Sequence, residues 1–121
     1  MADLAPVVEK RGDVTCILLG PEFENLDETS LDMIRQKLLD ASVAADPPLV
    51  VLDMQYTKFF GSSFIEVLFR IWNRQNGLPN GEFAISGLTD YCLEVLQVTH
   101  LDKLWKLCDN VDDAVKQISR K

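Results

Sequence analysis

Two adjacent serines, Ser62 and Ser63, stand between the turn Phe59-Phe60-Gly61 and an amphipathic run that reaches Asn76. The apolar run Leu49-Val50-Val51-Leu52-Asp53-Met54 precedes them. A strand, a short turn and a helix starting at the serines would set a hydroxyl beside unpaired backbone N–H groups. Such a helix start favours an oxygen or a phosphate, because the orphan donors and the helix dipole both point at it. The chemistry on offer is anion binding or serine phosphorylation. Spacing separates the two serines. Ser63-x-x-Glu66 fits a capping box, in which the serine oxygen accepts from the amide three residues on and the glutamate reaches back. That predicts a structural Ser63 whose cap is worth roughly 1 kcal/mol. Ser62 then sits one residue outside the helix with a free, exposed hydroxyl, and is the candidate for modification. The plainer alternative is that both serines cap the helix and do nothing more.

No other residues ask for catalysis, and no catalytic residue is assigned. The only histidine, His100, lies in Val98-Thr99-His100-Leu101 at the expected end of a helix, where a polar cap or packing residue is more common than a base. No G-x-S-x-G elbow, H-E-x-x-H pair or phosphate-binding loop occurs, and Ser62 has no base in its local sequence. Cys16, Cys92 and Cys108 are odd in number and widely spaced, with no C-x-x-C pair. A zinc site or disulfide framework is therefore not expected, nor any other metal or cofactor. The cysteines read as small apolar core residues in a reducing compartment. The formal charge of −7 comes from 19 acidic against 12 basic residues. Without a basic cluster, nucleic acid is excluded as a partner, and a basic protein surface is better matched.

The elements that must position the serines follow in order. The 121 residues fit one domain, taken as 1–121, large enough to bury a core without staples. No run reaches membrane-spanning length. Met1-Ala2-Asp3-Leu4-Ala5-Pro6 has neither a basic leader nor an apolar signal core, so a cytoplasmic location is expected. Val7–Glu9 and Val14–Leu19 form a hairpin around Arg11-Gly12-Asp13. Asp27, Thr29 or Ser30 caps a first helix carrying Leu31, Ile34, Leu38 and Leu39. Pro47-Pro48 ends that region before the strand Leu49–Met54, whose apolar character on both faces marks a central strand. The second helix runs from about Ser63 to Asn76 and stops at Gly77. Phe83-Ala84-Ile85 is a further strand, and Thr89 opens a third helix carrying Leu93, Leu96 and Val98. Leu104–Cys108 forms the last strand. Asn110 caps a final helix with Asp112 and Asp113 in its first turn and Lys116, Arg120 and Lys121 in its last, complementing the macrodipole. The sum is an α/β fold with a mixed sheet of four to five strands covered by about four helices.

The second helix carries more apolar surface than one buried stripe requires. Val67, Phe64, Leu68 and Ile71 centre its inward face, and Trp72, Ile65 and Phe69 continue it around one flank. Glu66, Arg70, Asn73 and Arg74 hold the polar side. The apolar arc spans roughly 200°, against about 100° expected of a surface helix. Either the flank packs on the first helix, or it forms a partner surface beside Ser62, since aromatic residues favour interface hot spots.

Val50-Val51-Leu52-Asp53-Met54 followed by Phe59-Phe60-Gly61-Ser62-Ser63-Phe64 resembles the central signature of STAS domains, the sulfate-transporter and anti-sigma-factor-antagonist family. Phe83-Ala84-Ile85-Ser86-Gly87-Leu88, Leu96-x-Val98-Thr99-His100-Leu101-Asp102-x-Leu104 and Asp112-Asp113-Ala114-Val115 agree with it. The likeness spans about residues 7 to 119 and points to the free-standing antagonist type. It implies a partner switch. The serine after the signature aspartate is phosphorylated by a histidine-kinase-like anti-sigma factor, the unmodified antagonist holds that kinase and frees a sigma factor, and a PP2C-type phosphatase resets the system. Carried over, the phosphorylated position is Ser62. With the apolar flank of the second helix, the expected contact surface comprises Gly61, Ser62, Ser63, Phe64, Ile65, Phe69 and Trp72. The signature is Asp-Ser-Ser/Thr-Gly, whereas here Gly61 replaces the aspartate and Phe64 the glycine. Pro21-Glu22-Phe23-Glu24-Asn25 makes a longer loop than usual, and His100 stands where a glycine is usual.

The resulting expectation is a non-enzymatic signalling module that binds a kinase-like anti-sigma factor or another regulatory protein through the Ser62 turn and the second helix. Two alternatives stay open: a phosphorylation-independent scaffold centred on Phe64, and a small-ligand or nucleotide-binding domain that uses the same helix end.

Overall fold

The structure, a computed structural model, describes residues 5–120. The leader reading at residues 1–4 and the expected helix-end role of Lys121 lie outside the described residues. The chain opens with β1 (Val7–Arg11) and β2 (Val14–Leu18), an antiparallel pair turned at Gly12 and Asp13. Gly12 has φ +62°, the left-handed region that a two-residue hairpin turn needs and glycine enters freely. A 3-10 turn at Pro21–Phe23 and the short β3 (Asn25–Leu26) lead into α1 (Glu28–Ala44). Next come β4 (Leu49–Asp53), the two-residue β5 (Phe59–Phe60), α2 (Ser62–Asn76) and β6 (Glu82–Ser86). The chain continues with α3 (Asp90–Val98), a 3-10 turn at Leu101–Lys103, β7 (Lys106–Cys108) and α4 (Val111–Ile118).

The main sheet has the order β1-β2-β4-β6-β7, with β1 and β2 antiparallel and the other pairs parallel. Five strands and four helices match the expected mixed α/β architecture. All of β4 is buried, because helices cover both faces of the sheet. Strand alternation sorts the side chains into two cores. Ile17, Val50, Leu52, Phe83 and Ile85 pack with Leu31, Leu38, Phe64 and Leu68 of α1 and α2 and with Cys92 and Leu96 of α3. Val14, Cys16, Leu49, Val51 and Ala84 meet Val111, Ala114 and Ile118 of α4 on the opposite face.

Several expectations need correction in detail. Among the three candidate caps of α1, Asp27 is the one used, accepting from the Ser30 amide at 2.9 Å. The last strand is shorter than Leu104–Cys108, since a 3-10 turn precedes it and Leu104 donates its N–H to Leu101. Cys108 is half-buried, unlike the fully buried Cys16 and Cys92. Arg120 lies beyond α4, with its amide on Asp13 Oδ2 at 2.9 Å beside Ser119 Oγ on Oδ1 at 2.6 Å. It therefore closes the hairpin turn and does not serve the helix dipole. His100 follows α3 with φ +63°, a left-handed conformation that accounts for the glycine usual at this position.

Candidate functional site

The segment between β4 and α2 carries three buried residues, Met54, Thr57 and Phe60. The Met54 amide donates to the Ser86 carbonyl at the end of β6 at 2.9 Å. Asp53, the last residue of β4, is buried and accepts from Ser86 Oγ at 2.8 Å and Gln55 Nε2 at 3.0 Å, so its carboxylate is not left bare. Thr57 joins three parts of the fold. Its hydroxyl donates to the Phe23 carbonyl at 3.0 Å, while its own carbonyl accepts from Thr89 Oγ1 at 3.1 Å and Cys92 Sγ at 3.4 Å. Lys58 then donates its N–H to Glu24 at 2.8 Å, β3 pairs in parallel with β5, and the Gly61 amide reaches the Leu26 carbonyl at 3.3 Å. The start of α2 is thus held by residues 23–26 on one side and by the start of α3 on the other.

At that start the capping box does not form. Gly61 is the N-cap, extended at φ −99°, and offers no side-chain cap, while Ser62 and Ser63 are the first two helical residues. Ser63 Oγ instead donates to Glu28 Oε1 on α1, and Glu66 is exposed on the polar face of α2. A tertiary partner has displaced the local one. Ser62 is exposed, and its hydroxyl has no hydrogen-bond partner among the described residues. A Cβ on Gly61 would meet nothing within 4 Å, so the fold would accept the aspartate of the family signature.

The proposed contact residues divide. Phe64 is fully buried and packs on Phe60 with ring centroids 5.4 Å apart. It is a core residue, so its placement on a partner surface is corrected. Ile65, Phe69 and Trp72 are half-buried. Phe69 meets Trp105 edge-on at 5.2 Å and Trp72 at 6.5 Å. The aromatic flank is therefore partly covered by the segment before β7, and not by α1, which meets the opposite side of α2 through Ser63 and the Arg74–Val43 hydrogen bond. Gly61, Ser62 and the exposed part of Ile65 remain at the surface.

The charges around Ser62 are negative. Glu28 and Glu66 are exposed on α1 and α2, and the nearby Lys58 is paired with Glu24 at 3.5 Å. The cysteines carry no activated thiolate. Burial pushes the Cys16 thiol up to about 11 and raises those of Cys92 and Cys108. Among the described residues, no group of three His, Cys, Asp or Glu side chains could hold a metal ion. No helix there is long and apolar enough to cross a membrane. Sequence reasoning missed Thr57, whose role depends on carbonyls distant in the chain. It also missed the stack of Phe59 on Tyr91, ring centroids 6.3 Å apart, which the outward position of Tyr91 opposite Cys92 and Leu96 could have suggested.

Residues 5–114 match the STAS domain. The chain belongs to the STAS family, and it is of the anti-sigma-factor antagonist type. It is similar to an anti-sigma-factor antagonist (STAS) domain protein from Planctomyces limnophilus, with 36% identity and TM-score 0.90 over 96% of this chain and 99% of that one. An anti-sigma factor antagonist from Mycobacterium paratuberculosis shares the fold at 21% identity and TM-score 0.77, over 93% of this chain and 92% of that one. The Bacillus cell fate determinant SpoIIAA, in its phosphorylated form, does so at 16% identity and TM-score 0.66, over 93% and 98%.

Proposed function

We propose that this chain is a one-domain, non-enzymatic partner switch of the cytoplasm. It binds a regulatory protein, of the histidine-kinase-like anti-sigma class that the family implies, and phosphorylation of Ser62 releases it. A PP2C-type phosphatase reverses the modification. One observation carries this reading: of two adjacent serines, Ser63 is engaged by Glu28, while Ser62 is exposed and unpartnered at an uncapped helix start. Supporting it, SpoIIAA, which shares the fold, is known in phosphorylated and unphosphorylated forms.

The physics of release is local. A phosphoryl group adds about −1.5 to −2 charges. The first-turn amides of α2 and the positive end of its dipole accommodate that charge within the fold. A partner packed over the same turn meets the new charge together with Glu28 and Glu66, in an interface from which water has been excluded. Binding weakens while the domain stays folded. The scaffold alternative centred on Phe64 loses its contact residue, because Phe64 lies in the core.

Affinity capture from native cells with quantitative mass spectrometry tests the proposal. The wild-type and Ser62→Ala chains are expected to retain a common partner that Ser62→Asp loses by about tenfold or more, equivalent to at least 1.4 kcal/mol. Equal retention by all three would overturn the switch.

A further inference from the structure

The outer face of α3 is apolar where a surface helix is ordinarily polar. Tyr91, Val95 and Val98, at positions i, i+4 and i+7, share it, and with Glu94 and Thr99 they line a shallow groove of about 260 Å³. Val98 is 71% exposed and Tyr91 50%. The inward residues Cys92 and Leu96 already anchor the helix, so the core does not account for Tyr91 and Val98. Isolated exposed apolar residues are ordinary, but a contiguous patch of them marks a contact surface. This one continues to Phe59, 41% exposed and stacked on Tyr91, and Phe59 lies in β5, immediately before the Ser62 turn. Asp90 and Glu94 border the patch, and neither has an ion-pair partner among the described residues.

We infer that the α3 groove receives an apolar side chain of the partner protein, carried on a segment that places a lysine or arginine beside it for Glu94 and Asp90. The inference rests on the Ser62 reading for the existence of that partner and adds where it docks and what it presents. Charge decides the occupant. A second copy bound through the same face in a two-fold pair would set Asp90 and Glu94 near their own mates. An anionic lipid surface would repel them as well. A basic, apolar segment satisfies both the groove and its acidic border. The Phe59–Tyr91 stack makes this groove and the Ser62 turn one surface, so the partner reads both at once.

Site-specific photo-crosslinking in native cells tests this, with p-benzoylphenylalanine placed in the full chain at position 98, at position 66 near Ser62, or at the exposed control position 33 on α1. Position 98 is expected to capture the same protein as position 66, on a peptide in which an apolar residue lies within one helical turn of a lysine or arginine. Glu94→Lys is expected to cut the yield at position 98 by about tenfold, since like charges then meet. Capture at 66 but not at 98 would overturn the α3 groove and leave the Ser62 reading standing. Capture at neither would overturn both. A second copy of the chain, a lipid, or an acidic segment at position 98 would overturn the inference, as would a yield at position 33 equal to that at 98.

Discussion

The helices of this domain begin in two different ways. Those of α1 and α4 are closed by side chains: Asp27 accepts from the Ser30 amide and Asn110 from the Asp113 amide, each at 2.9 Å, with acidic residues in the first turn. Those of α2 and α3 have no side-chain cap. Thr89 of α3 donates to the Thr57 carbonyl and Asp90 lies in its first turn, whereas α2 has a glycine at the N-cap and no acid in its first turn. The start of α2 is fixed from within, by Phe64 in the core, and from the side, by the Ser63–Glu28 bond and the β3–β5 ladder. A capped start has spent its amides on its own side chains, whereas an open one keeps them for an added anion. The contrast sets α2 apart as the start with neither a capping side chain nor an acid of its own.

The largest expected effect tests the inner anchor. Phe64→Ala should lower unfolding stability by about 3–5 kcal/mol, as for other fully buried phenylalanines, in denaturant titrations of the isolated chain. A loss below about 1 kcal/mol would mean that Phe64 does not fix α2. Next, Asn110→Ala should cost about 1 kcal/mol through loss of a true cap, whereas Ser63→Ala should stay within about 0.5 kcal/mol, as for an exposed surface contact. If Ser63→Ala were the more damaging, the distinction between the two kinds of helix start would fail. A further effect of less than about 1 kcal/mol has the opposite sign. Gly61→Asp should stabilise the chain by about 0.3–1 kcal/mol, by placing a carboxylate at the open end of the dipole, where a Cβ meets nothing. A loss of stability there would show that the turn needs its glycine.

The architecture was legible because each main element carries a pattern of its own. Alternation with a Gly-Asp turn marks the β1–β2 hairpin, the unbroken apolar run marks β4, and Asn110 with two aspartates marks the start of α4. The start of α2 was legible to within one residue. Ser63-x-x-Glu66 is a complete local capping signal, yet Glu28, far away in sequence, takes the Ser63 hydroxyl and the helix begins at Ser62. The two-residue strands β3 and β5 have no periodicity to read, since they exist only through each other. The reading that packed the aromatic flank on α1 fails for the same reason: its cover, Trp105, comes from a segment with no sequence signal linking it to Phe69. For Phe64 the helical period already pointed inward, as its burial shows, and only its assignment to a partner surface beside the serine pair fails.

The most direct test of the open start of α2 is phosphosite mapping by mass spectrometry, on the protein recovered from its native cells across growth and stress conditions. The expected result is a phosphoryl group on Ser62 whose occupancy changes with condition, and none on Ser63. An abundant Ser62 peptide that is always unmodified, or a phosphate on Ser63 instead, would contradict it.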